Sequence, residues 1–81
     1  LANEIALFPN PTSGVVTLRN NGSLNLTSAI VTDVNGRTIN TIDLTDAGVD
    51  TAISLENMAT GLYFVRINSE TSSVVKRIVK K

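Results

Sequence analysis

The feature that most constrains this chain is its punctuation. Turn-forming clusters recur roughly every ten residues, at Pro9-Asn10-Pro11-Thr12-Ser13-Gly14, Asn20-Asn21-Gly22-Ser23, Asn35-Gly36, Asp46-Ala47-Gly48 and Ala59-Thr60-Gly61. The runs between them are rich in Leu, Val, Ile and Thr and poor in Glu, Lys, Gln and Arg. That balance favours pleated strands over helices. The chain therefore reads as all-β, a small antiparallel sandwich of about seven strands over residues 4–8, 15–19, 28–34, 37–44, 51–55, 62–68 and 73–80. Nothing repeats and no linker divides it, so residues 1–81 read as a single domain.

Local patterns sharpen this reading. Asn35-Gly36 lies between Val31-Thr32-Asp33-Val34 and Arg37-Thr38-Ile39, and both turn residues tolerate positive φ, so a type I′ hairpin is expected. Ile39 and Ile42 are three apart and cannot share one face of a regular strand, which predicts a bulge or twist there. Tyr63, Val65 and Ile67 alternate with Phe64, Arg66 and Asn68, and the first set is assigned to the core. A Tyr opening the penultimate strand of a Greek-key sandwich can turn its hydroxyl back onto upstream backbone, so Tyr63 predicts a tyrosine corner. Leu55-Glu56-Asn57-Met58 is expected to form one turn crossing between sheets. Val74, Val75, Ile78 and Val79 fit a helical stripe by period but a strand by β-branching. The basic residues among them suit an edge strand, so a strand is expected.

Charge and composition exclude much. Lys and Arg balance Asp and Glu at seven each, which removes the bulk electrostatic case for nucleic acid or an anionic membrane surface. With no Cys and no His there are no disulfides, thiol nucleophiles or His-based acid and base chemistry, and structural zinc loses its usual ligands. No apolar stretch is long enough to span a bilayer. Leu1-Ala2-Asn3-Glu4 lacks the basic and apolar regions of a signal peptide, as expected of an excised or mature segment. The neutral total hides an asymmetry: residues 74–81 carry +4 in Lys76, Arg77, Lys80 and Lys81, and the rest carries −4.

Candidate chemistry is sparse. Asp33, Asp43, Asp46 and Asp50 match no calcium-loop spacing. Asp33, just before Asn35-Gly36, is placed to accept backbone N–H groups of the turn. Pro9-Asn10-Pro11 is a stiff turn joining the first two strands. Asn21-Gly22-Ser23 and Asn25-Leu26-Thr27 are formal glycosylation acceptors only. There is no phosphate loop, no nucleophile elbow and no cofactor pattern, so neither catalysis nor a cofactor is expected.

The order of the motifs carries more than any one of them. Phe8-Pro9-Asn10-Pro11-Thr12-Ser13-Gly14, Val31-Thr32-Asp33-Val34-Asn35-Gly36-Arg37, Met58-Ala59-Thr60-Gly61-Leu62-Tyr63-Phe64-Val65-Arg66-Ile67 and Lys76-Arg77-Ile78-Val79-Lys80-Lys81 run in sequence along the chain. This series resembles the type A C-terminal sorting domain of the type IX (Por) secretion system of Bacteroidota, over nearly the whole length. The resemblance implies an immunoglobulin-like Greek-key β-sandwich at the end of a secreted parent, covalently continuous with an N-terminal cargo. It implies transit through the periplasm, recognition by the outer-membrane translocon, cleavage by a sortase, and cargo secreted or held at the cell surface. By position, Pro9, Asn10, Pro11 and Gly14 match the opening motif, Asp33, Gly36 and Arg37 the middle one, and Gly61 and Tyr63 the third. Lys76, Arg77, Lys80 and Lys81 match the basic end and become the candidate translocon handle. An aromatic is common in the family where Thr32 stands, which suggests a thinner core near the hairpin.

The sorting reading expects Lys80 and Lys81 to end the natural chain. The alternative is a generic immunoglobulin-like or fibronectin-like accessory or adhesion module of a secreted protein, which would tolerate neutralising the tail. In either case open edge strands offer a route to a dimer.

Overall fold

Among the described residues, seven strands form where the turn clusters leave room for them. In a computed structural model they are β1 (Ile5–Phe8), β2 (Val15–Asn20), β3 (Leu26–Thr32), β4 (Thr38–Asp43), β5 (Asp50–Ser54), β6 (Gly61–Ser69) and β7 (Ser73–Lys80). The structure describes residues 4–22 and 24–81. The expectation for Leu1 to Asn3, and for Ser23 in the second turn cluster and the first glycosylation acceptor, falls outside the described residues.

The strands form two antiparallel sheets, ordered β1-β2-β5 and β4-β3-β6-β7. The partnerships β2–β5 and β3–β6 skip along the chain, the Greek-key connectivity of an immunoglobulin-like sandwich. Alternation explains the core between the sheets. Ile5, Val16, Leu18 and Ile53 point inward from one sheet, and Ala29, Val31, Tyr63, Val65, Ile67 and Ile78 from the other, all buried. The last run is a strand, as its β-branching predicts, and Ile78 is fully buried under it.

Two bulges let the pattern fit. The β3–β4 register passes from Val31↔Asn40 to Thr32↔Thr38, leaving Ile39 as the extra residue. Ile39 and Ile42 both pack against the core in consequence. On the β6 side the register of β3 shifts between Leu26 and Ser28, so Leu26 and Ala29 are both buried. This second bulge starts β3 two residues earlier than alternation alone suggests.

Two expectations need correction. The turn bond runs from the Gly36 N–H to the Asp33 carbonyl at 3.0 Å, and the Asp33 N–H bonds the Arg37 carbonyl at 3.0 Å. The loop is thus the three residues Val34-Asn35-Gly36, not a two-residue type I′ turn about Asn35-Gly36. Gly36 takes the left-handed position at φ 82°, and the Asp33 carboxylate favours the wider loop by capping its N–H groups. Thr32, for its part, pairs with Phe64 on the outer face, while Val31 fills the core beside it. A missing aromatic at position 32 therefore leaves the core intact.

Because Ile78 has no exposed surface, Ile78→Ala should cost about 2–5 kcal/mol, a large share of what a domain this small can have. Urea unfolding followed by circular dichroism checks this. An unchanged midpoint would mean that the last strand is not part of the cooperative fold.

Candidate recognition site

The four sequence motifs converge at one end of the sandwich. β7 is an edge strand, and its outer hydrogen-bonding groups would face solvent unless something covered them. The opening motif covers the terminal part. The Asn10 side chain donates to the Arg77 carbonyl at 2.9 Å and accepts the Val79 N–H at 3.0 Å, as a neighbouring strand would. The Thr12 N–H then donates to the Val79 carbonyl at 2.8 Å, and the Lys81 N–H to the Thr12 carbonyl at 2.9 Å, a parallel bridge. Pro9 and Pro11, both after cis peptide bonds, flank the asparagine.

Thr12 is buried, yet its hydroxyl is satisfied by donating to the Val15 carbonyl and accepting the Gly14 N–H. The Gly14 carbonyl accepts the Leu55 N–H at 2.7 Å, which ties the clasp to the turn after β5. That turn closes as expected, with the Met58 N–H bonded to the Leu55 carbonyl. The Tyr63 hydroxyl donates to the Ala59 carbonyl at 2.6 Å, the expected tyrosine corner. Gly61, at φ 154°, opens β6 in a conformation that side chains rarely adopt, and it pairs with Lys80.

This geometry divides the basic tail. Lys80 is 9% exposed, and its ammonium donates to the Met58 carbonyl at 2.8 Å. It straps β7 to the loop before β6. Lys76 is half-buried and, with Arg77, Ala6, Leu7 and Asn10, lines the seam between the edges of β1 and β7. Arg77 points out from the sheet opposite Phe64, and Lys81 is exposed beyond the strand. The four charges expected to form one handle thus face three directions. Strand alternation makes that split predictable, but the burial of Lys80 depends on a loop no local pattern places beside it.

Secretion system C-terminal sorting domains match residues 6–81 of this chain. The chain belongs to the C-terminal sorting domains of the type IX secretion system. No curated protein matches it. The family is one of export signals, not of enzymes.

Within this sorting domain several of the remaining charges are tied down. The Asp33 carboxylate accepts the Asn35 and Arg37 N–H groups at 2.9 and 3.0 Å and pairs with the Arg37 guanidinium at 3.0 Å. The Arg37 backbone N–H, with that guanidinium and the Asn35 N–H, holds Asp33 below its ordinary value of 3.8. Thr45, through its N–H and hydroxyl, does the same for Asp43, and the Arg19 side chain for Asp50. Among the described residues no cluster of acids is arranged to hold a metal ion.

Two predictions follow from these contacts. Asn10→Ala should cost about 1 kcal/mol and, more tellingly, speed exchange of the Val79 amide, measured by hydrogen exchange; unchanged protection would remove the clasp. Lowered carboxylate values in the fold mean stability is complete above the unfolded value near 3.8 and is lost as pH falls through the folded ones. The thermal midpoint should therefore hold steady above about pH 5 and drop below about pH 4. Asp33→Asn, which cannot titrate, should shallow that drop.

Proposed function

We propose that this sorting domain is a folded address label, residues 1–81 acting as one unit at the C-terminal end of an exported parent. Its cargo would cross the periplasm, pass the outer-membrane translocon and be released or held at the cell surface, with a sortase removing the domain. The domain itself performs no catalysis. The observation that carries this reading is the family match over residues 6–81, and the convergence of three of the motifs on the last strand supports it. In this reading Lys76, Arg77 and Lys81 form the translocon handle, while Lys80 and the Pro9 to Gly14 clasp fix the strand that presents it.

Deleting the last eight residues is a poor test, because it removes Ile78 and the partner of β6. Lys76→Gln, Arg77→Gln and Lys81→Gln together keep the strand. Fused behind a periplasmic reporter in a type IX-competent host, the native domain should release reporter outside the cell, and the triple variant should release about tenfold less at equal folding. Native fusion that stays folded in the periplasm would favour an accessory module. Equal release by the variant would dismiss the handle alone.

A further inference from the structure

The two outer faces of the sandwich are unlike each other. On the β1-β2-β5 sheet the outward charges neutralise one another: Arg19 makes two bonds to Asp50, at 2.8 and 2.9 Å, and lies over the Phe8 ring at 4.9 Å. On the other sheet, register brings Leu62 opposite Val79, Phe64 opposite Arg77 and Arg66 opposite Val75, with Ile30 and Thr32 of β3 alongside. A solvent-facing antiparallel face is ordinarily polar. Here Val75 is 48% exposed and Val79 41%, with Leu62 and Phe64 half-buried between them.

The charge on this face is also uncompensated. Arg66 and Arg77 occupy diagonal positions on adjacent strands, within reach of each other's field. No acid occurs in Leu62–Arg66 or Val75–Val79. The Arg66 guanidinium has only a 3.4 Å contact to the Ser73 hydroxyl, and neither arginine has a carboxylate partner among the described residues. Asp43 shares the face at its far corner on β4, and its carboxylate is engaged by Thr45.

We propose that the outer face of β6 and β7 is a docking surface for an acidic protein partner, one that sets carboxylates against Arg66 and Arg77 and apolar side chains against Phe64, Leu62, Val75 and Val79. The inference rests on the export reading for where that partner is met. Exposed valines around a half-buried phenylalanine and beside arginine make up an apolar centre with guanidinium groups, the combination that protein interface cores favour. Two guanidinium groups are too few for nucleic acid, which draws on many phosphate contacts, or for firm attachment to an anionic membrane. Arg77 belongs to both the handle and this surface, whereas Arg66 lies outside the basic tail, so a change at Arg66 tests the surface without altering the handle.

The test uses the reporter fusion in type IX-competent cells, with a photoreactive residue at Val79 or, as a control, at Ala52 on the opposite sheet. The Val79 probe should form an adduct with a protein at a segment containing Asp or Glu, and the Ala52 probe should not. Arg66→Glu should reduce both that adduct and external reporter about tenfold, with an unchanged urea midpoint, whereas Arg66→Lys should retain both. No adduct, an adduct to lipid, or full adduct and export in Arg66→Glu would overturn the surface. If Arg66→Glu exports like the native fusion, the surface alone falls; if the native fusion is not exported, the export reading falls and takes the surface with it.

Discussion

The outer edge of β7 is the constraint on which the rest of this structure depends. A last strand at the margin of a four-stranded sheet has one paired side and one open side, and the open side invites fraying or association. Here the loop between the first two strands closes the terminal part of that side, with the Asn10 side chain standing in for two backbone groups and Thr12 for two more. Lys80 adds a third tie, from the strand to the Met58 carbonyl. A dimer built by pairing β7 edges would have to displace these bonds at Arg77, Val79 and Lys81.

This arrangement explains why short motifs far apart in sequence belong together. Residues 9 to 14, 58 to 63 and 76 to 81 meet in a single network, and the β3–β4 hairpin stands at the same end through the Thr32, Phe64 and Arg77 register. Pro-Asn-Pro looks like a turn because it is one. Its second duty, bonding to a strand more than sixty residues later, is a tertiary contact that leaves no local trace.

Much of the fold was legible for physical reasons. Period-two alternation assigned Tyr63, Val65 and Ile67 to the core, and the phase break between Ile39 and Ile42 announced the bulge that the register shows. The hairpin was legible but its turn type was not, because the Asp33 carboxylate, which decides it, acts from outside the two-residue signal. The charge pattern was the least legible part. A count along the chain gives a basic tail, whereas strand alternation sends Lys80 inward and Arg77 outward and brings Arg66, a residue of the acidic body, beside it.

Stability and the proposed signal are therefore drawn from the same strand. With no cysteine to form a disulfide across a single small core, β7 must contribute Ile78 and its pairing with β6 whatever else it does. Ile78 and Lys80 are committed to the fold, whereas Lys76, half-buried at the seam, and the side chains that alternate outward or run past the strand keep surface open to solvent. Any partner that reads this end of the domain thus reads Arg77, Lys81 and their outward neighbours at positions fixed by Asn10, Thr12 and Lys80. An unfolded tail offers the same charges without that spacing, so a partner that needs the spacing would bind only the folded domain.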